Sequence, residues 1–154
     1  MVIHKPRNIL RRAAVPDRCG EEMSLMSGPD VAASELLAED EIGLLRRALL
    51  EWSGPAKCSD QIAVGMGFAD VQDLLDQSSR LRSALHDDVP LAPADWARTL
   101  LAVEIVFVSD LAGSGVEWPT TTGLPDELTI RTLRSIQRKM ARTVSPYYGK
   151  SPRC

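Results

Sequence analysis

The sequence has few of the residues from which most enzyme and metal sites are built. It contains two histidines and three cysteines in 154 residues. His4 and His86 cannot complete a histidine-based metal centre, since such a centre needs several converging ligands. Cys19, Cys58 and Cys154 are an odd number at wide spacing, which argues against a disulfide framework. We therefore expect neither a metal nor another cofactor.

Long hydrophobic runs are also lacking. The longest candidate, residues 100–108, is interrupted by Glu104, whereas a membrane span requires about 18 consecutive apolar residues. Residues 1–14 hold no sustained apolar segment of the kind found in secretory signals. These absences predict a cytoplasmic protein that does not enter a membrane. Arginine outnumbers lysine 14 to 4, a bias typical of GC-rich genomes, so we expect a bacterial source.

The net charge of −3 argues against a surface built throughout to bind nucleic acid. Hydrophobic residues make up 44% of the chain, which is enough for one core without disulfides or metals. We predict one helical domain over 31–144, between a disordered leader, 1–30, and a disordered tail, 145–154. A second interpretation of the leader is that native translation begins at Met26, since a read-through ribosome-binding sequence would encode residues 20–22.

The spacing of apolar residues predicts an all-α fold, a small orthogonal bundle of four to five helices. The predicted helices cover residues 31–52, 60–66, 69–85, 95–110 and 125–144. Residues 103–108 are rich in β-branched side chains, which favour strands. Because the sequence offers no partner strand, we predict a helix there as well.

Residues 61–71 are helix-turn-helix-like. Ala63 is followed four residues later by Gly67 at the predicted turn, as in many DNA-binding helix-turn-helix units. Three acids open the helix that would read DNA: Asp70, Asp73 and Asp76. They precede the first cation of that helix and would repel phosphate. Nucleic acid is therefore a less favoured partner for this unit than protein.

The last predicted helix carries a basic stripe. Its cations recur at helical spacing and are Arg131, Arg134, Arg138, Lys139 and Arg142. Residues 126–142 hold five bases and two acids, a net charge of +3, while residues 59–88 hold six acids and two bases, a net charge of −4. Opposite patches on one small domain favour pairing within the fold or between subunits. We therefore predict an interaction surface made of this stripe and the acids at positions 70, 73 and 76.

Glu104 is the candidate buried charge, because it lies within an otherwise apolar helix. We expect it to pair with one of three arginines of the last helix: Arg131, Arg134 or Arg138. A catalytic role for Glu104 would require a second acid, and the nearest in sequence are Asp110 and Glu117. The segment Glu117–Trp118 is the candidate loop for such a site.

Three functions follow, in order of preference. The first is a non-enzymatic protein–protein interaction or regulatory module, with a homodimer as one form of it. The second is a DNA-binding regulator that uses residues 59–85 as a helix-turn-helix unit and helix 126–144 to contact phosphate. The third is an enzyme with carboxylate chemistry around Glu104.

Overall fold

A computed structural model describes residues 28–149, and within them the protein is all-α, as the sequence predicts. Seven α-helices follow one another in this range: α1 (Ala33–Leu36), α2 (Glu39–Glu51), α3 (Asp60–Gly65), α4 (Val71–His86), α5 (Pro93–Val108), α6 (Trp118–Thr122) and α7 (Asp126–Val144). Two 3-10 helices, Gly115–Glu117 and Ser145–Tyr148, precede α6 and follow α7. An isolated antiparallel bridge joins Val31 to Leu91.

Helices α2 and α5 form the centre of the bundle. They pack against each other, α4 packs mainly on α2, and α7 packs mainly on α5 and also on α2. All four helices contribute fully buried side chains: Leu45, Leu49, Leu74, Leu81, Trp96, Val103, Ile136 and Met140. The β-branched stretch 103–108 continues α5 to its end, so the prediction of a helix there is confirmed.

The first predicted helix, 31–52, is in fact two helices. Leu37 and Ala38 are both extended, which separates α1 from α2. The carboxylate of Glu41 accepts a hydrogen bond from the Ala38 amide at 2.8 Å and thereby caps the start of α2. Leu37 is buried in the core, so the break keeps the apolar pattern intact. Periodicity alone therefore did not reveal it.

Two further segments differ from the predictions. Residues 116–123, which lie outside the predicted helices and include the candidate loop Glu117–Trp118, contain part of a 3-10 helix and all of α6. The first residues of the predicted disordered tail, 145–154, form the 3-10 helix Ser145–Tyr148, which packs on α7. Most of the predicted leader, the alternative start at Met26 and residues 150–154 lie outside the described residues.

The turn that follows α5 depends on two glycines. A β-carbon at Gly113 would overlap the carbonyl oxygens of Ile105 and Val106, and one at Gly115, whose φ is +43°, would overlap Asp110. The close approach lets the Ser114 amide donate to the Val106 carbonyl at 2.7 Å. The turn therefore needs residues without a side chain at both positions.

We expect Gly113→Ala to lower the free energy of unfolding by about 1–3 kcal/mol, because the added methyl group forces the turn away from α5. Urea denaturation followed by circular dichroism measures the change. Gly54→Ala is the matched control, since its β-carbon would meet its nearest neighbour at an ordinary 3.8 Å. Equal loss of stability in the two variants would contradict the explanation.

Candidate functional site

The predicted basic stripe lies on the solvent side of α7. The buried residues of this helix are Thr129, Leu133, Ile136, Met140 and Val144, and they form one face. The four arginines, Arg131, Arg134, Arg138 and Arg142, are exposed. Their spacing of three and four residues places them on the face opposite the buried one. We call these four exposed arginines the arginine face.

The arginine face has few partners among residues 28–149. Arg131 lies 4.0 Å from Glu127, and both side chains are largely exposed, at 76% and 89%. Such a pair contributes little to stability. Arg134 donates to the side-chain oxygen of Gln137 at 2.9 Å. Within residues 28–149, Arg138 and Arg142 form no ion pair.

Lys139 belongs to the predicted stripe but has a different role. Its ammonium group lies 2.7 Å from the carboxylate of Glu41, which is 3% exposed. Burial raises the pKa of Glu41, but hydrogen bonds from Lys139, Ser135 and the Ala38 amide lower it by more. The pKa of Glu41 therefore lies below its ordinary value. The pair joins α7 to α2. This pair lies within the fold, but its acid lies outside the predicted acidic patch, residues 59–88, so it is not the predicted pairing.

A second buried carboxylate, Glu51, was also missed. It is 2% exposed, and it accepts a hydrogen bond from the Ser114 hydroxyl at 2.7 Å and lies 3.4 Å from the guanidinium of Arg47. Arg47 also donates to the carbonyl of Thr121 in α6. These contacts tie α2 to the turn after α5 and to α6. The sequence carried one usable signal, the position of Arg47 and Glu51 one helical turn apart.

The three predicted acids of α4 have structural roles. Asp70 accepts from the Asp73 amide at 2.8 Å, and Asp73 accepts from the Ala69 amide at 2.9 Å. Asp76 accepts from the side chain of Gln72 at 3.0 Å. Acids at a helix N-terminus are favoured by the helix dipole. Helix capping therefore explains Asp70 and Asp73, while Asp76 has a side-chain partner within α4. Helices α4 and α7 pack mainly on different helices of the central pair.

The helix-turn-helix-like corner is formed by α3 and α4. Gly67 has φ of +93° at the turn between them, a conformation that suits glycine. The carboxylate of Asp60 accepts from the Val71 amide at 3.0 Å and closes the corner. Three carboxylates therefore surround the start of α4: Asp60, Asp70 and Asp73. This end of the helix is unfavourable for a phosphate backbone.

Glu104 is half-buried rather than buried, and its partner is not an arginine. The side-chain amide of Gln137 donates to the Glu104 carboxylate at 2.6 Å, and Arg134 donates to the oxygen of the same amide. Gln137 thus stands where the predicted ion pair would form. Burial and the charge of Glu104 raise the pKa of Tyr148 to about 12. Glu104 and Tyr148 line a pocket of about 350 Å³.

The other acids named for carboxylate chemistry lie elsewhere. Asp110 accepts from the Val116 amide at 2.6 Å and so holds the turn after α5. Glu117 is exposed. Trp118, expected in a surface loop, is completely buried: its indole donates to the Thr129 hydroxyl at 2.9 Å and its ring meets that of Phe107 edge-on. In the candidate loop, Glu117 therefore faces solvent and Trp118 belongs to the hydrophobic core.

A groove of about 500 Å³ lies between α2 and α7. One of its walls is a face of α2 that includes Gly43, Leu44 and Arg47. The opposite wall includes Leu128 and Thr132 of α7. Leu128 is 48% exposed. The groove borders the arginine face, because Leu128 and Arg131 are neighbours on the helix surface.

Other kinds of site find no support in the described part of the chain. Among residues 28–149, no three His, Cys, Asp or Glu side chains come together in a way that could hold a metal ion. None of the helices in that range combines the length and the apolar character needed to cross a membrane. In comparisons with protein-family models, curated proteins and solved structures, the chain matches none.

The lowered pKa of Glu41 predicts a pH-dependent contribution to stability. A carboxylate with a depressed pKa in the folded state stabilises the protein above its unfolded pKa, here 4.5, and loses this effect as the pH falls through the folded value. We expect Glu41→Gln to lower the free energy of unfolding by about 1–3 kcal/mol at neutral pH. The difference from the wild type should shrink below pH 4.5.

Urea denaturation over a series of pH values tests this prediction. Glu127→Gln is the control, since that carboxylate is 89% exposed. The Ser34 hydroxyl and amide also hold the pKa of Asp88 below its ordinary value, but this group is common to all the proteins compared. A difference between wild type and Glu41→Gln that stays constant with pH would contradict the role given to Glu41.

Proposed function

We propose that this protein is a non-enzymatic interaction module that binds an acidic segment of a partner protein along α7. One observation carries the proposal: the arginine face. Its four guanidinium groups point away from the core, and within the described residues its one ion pair is the weak contact of Arg131 with Glu127. Guanidinium groups recognise carboxylates through paired, directional hydrogen bonds. The proposal places the protein in the bacterial cytoplasm, as its composition predicts.

The charge arrangement has a cost that supports this interpretation. Like charges three and four residues apart on a helix destabilise it by a few tenths of a kcal/mol per pair. The acids of α7, Asp126 and Glu127, lie in its first turn, so most of the arginine face lacks acids at the spacing that would offset its repulsion. An acidic partner would relieve that repulsion on binding. The helix also places the arginines in one row before the partner arrives.

A protein partner is favoured over DNA for two reasons. The corner formed by α3 and α4 presents carboxylates where a reading helix would meet phosphate. In addition, the arginine face borders the apolar groove between α2 and α7, and apolar surface beside cations suits an amphipathic peptide. DNA binding through the same arginines is the second candidate, and self-association through the acids of a second copy is the third.

We expect a labelled oligo-glutamate peptide to bind the protein at low ionic strength and to be released as salt is added. Arg138→Glu should weaken this binding by about tenfold, because it replaces an attraction with a repulsion. Fluorescence anisotropy measures the affinity. Lys57→Glu is the matched control: this exposed cation precedes α3, and its amide donates to the Ala112 carbonyl in the turn after α5. Its reversal changes the net charge by the same amount.

Anisotropy and light scattering together distinguish the protein partner from the alternatives. Tighter binding of a labelled random-sequence duplex, lost in Arg138→Glu, would replace the protein partner by DNA. A mass that rises with concentration in light scattering, and does not rise for Arg138→Glu, would indicate self-association instead. No binding of the peptide at low salt, or equal losses in Arg138→Glu and Lys57→Glu, would overturn the proposal.

A further inference from the structure

Gly43 is an unusual residue for its position. It lies within α2, where glycine is a poorer helix former than alanine. Its backbone is helical, and a β-carbon at this position would meet no atom within 4 Å. Neither a turn nor a close approach in the described residues therefore requires glycine here. The absence of a side chain has one visible effect: it leaves the groove between α2 and α7 open.

The walls of this groove suit an apolar side chain. Leu44, Leu124 and Leu128 supply apolar surface, and Thr132 lies beside them. Asp40 and Arg47 line the groove on the side of α2. Arg47 is held by Glu51 and by the carbonyl of Thr121. The groove is thus apolar along its length with charged residues at its edge, which is the common arrangement of a peptide anchor site.

The arginine face continues the same surface. Arg131 lies one helical turn from Leu128, and Arg138 and Arg142 follow it along α7 at helical spacing. A partner helix lying along α7 would therefore meet cations and the groove together. Such a helix must carry carboxylates on one edge and an apolar residue beside them.

We propose that the α2–α7 groove receives an apolar anchor side chain from an acidic amphipathic helix, and that Gly43 is the residue that admits it. This inference rests on the proposed function, since it assumes that the acidic partner lies along α7. The arginine face would supply attraction and orientation, while the groove would supply most of the discrimination between partners. Buried anchors of this kind dominate the affinity of many helix-in-groove complexes.

The test uses two synthetic peptides of roughly four helical turns. Both carry glutamates along one edge, and they differ in having either leucines or alanines on the adjoining face. The leucine peptide should bind the wild type at least about tenfold more tightly than the alanine peptide does, because one leucine side chain becomes buried. Anisotropy measures both affinities.

Substitutions at Gly43 distinguish an effect on stability from an effect on peptide binding. Gly43→Ala should raise the midpoint of urea unfolding, since the methyl group improves helix propensity and meets nothing. Gly43→Met should be at least as stable as the wild type, but its side chain should fill the groove. It should weaken the binding of the leucine peptide by about tenfold and leave the binding of the alanine peptide unchanged. Gly65→Met is the control, because Gly65 is equally open but lies in α3.

The outcomes distinguish this inference from the function on which it rests. If both peptides bind equally, or if Gly43→Met binds the leucine peptide as the wild type does, the groove is not an anchor site. The proposed function still stands in that case, provided that Arg138→Glu releases both peptides. If Arg138→Glu releases neither, the proposed function fails, whatever Gly43→Met does.

Discussion

The fold depends on the burial of α5. This helix is apolar on nearly all sides, and its buried residues include Trp96, Leu100, Val103 and Phe107. An element of this kind is stable only when other helices cover it, because the hydrophobic effect scales with the apolar area removed from water. Helices α2 and α7 provide most of that cover, and α4 completes the bundle from the side of α2. The arrangement of the long helices thus follows from one helix that cannot face solvent.

Two buried carboxylates fix how these helices are joined. Glu41 links α2 to α7 through Lys139, and Glu51 links α2 to the turn after α5 through Ser114. Because removing one partner would leave a buried group unsatisfied, such contacts specify one arrangement among many that would bury similar area. The buried apolar face of α7 turns the arginines on its opposite side toward solvent. The same orientation of α7 brings Lys139 to Glu41.

Two features of the surface along α7 lower the stability of the folded protein. The arginine face brings like charges together, and Gly43 lies within a helix at a position where alanine would fit. Both features lower the stability of the isolated protein, and both lie on adjoining parts of one surface. Residues that are unfavourable for folding without a structural reason are commonly retained for binding. This coincidence is the strongest link between the structure and the proposed interaction.

The sequence by itself determined the all-α class, the helical state of residues 103–108 and the basic stripe on the last helix, because these follow from local periodicity and propensity. It did not determine that Glu104 would meet Gln137, that Trp118 would be buried or that Glu41 and Glu51 would be the buried acids. Each of these depends on which distant residue comes into contact, and helical spacing carries no information about partners on other helices. Only the packing of α2, α5 and α7 decided them.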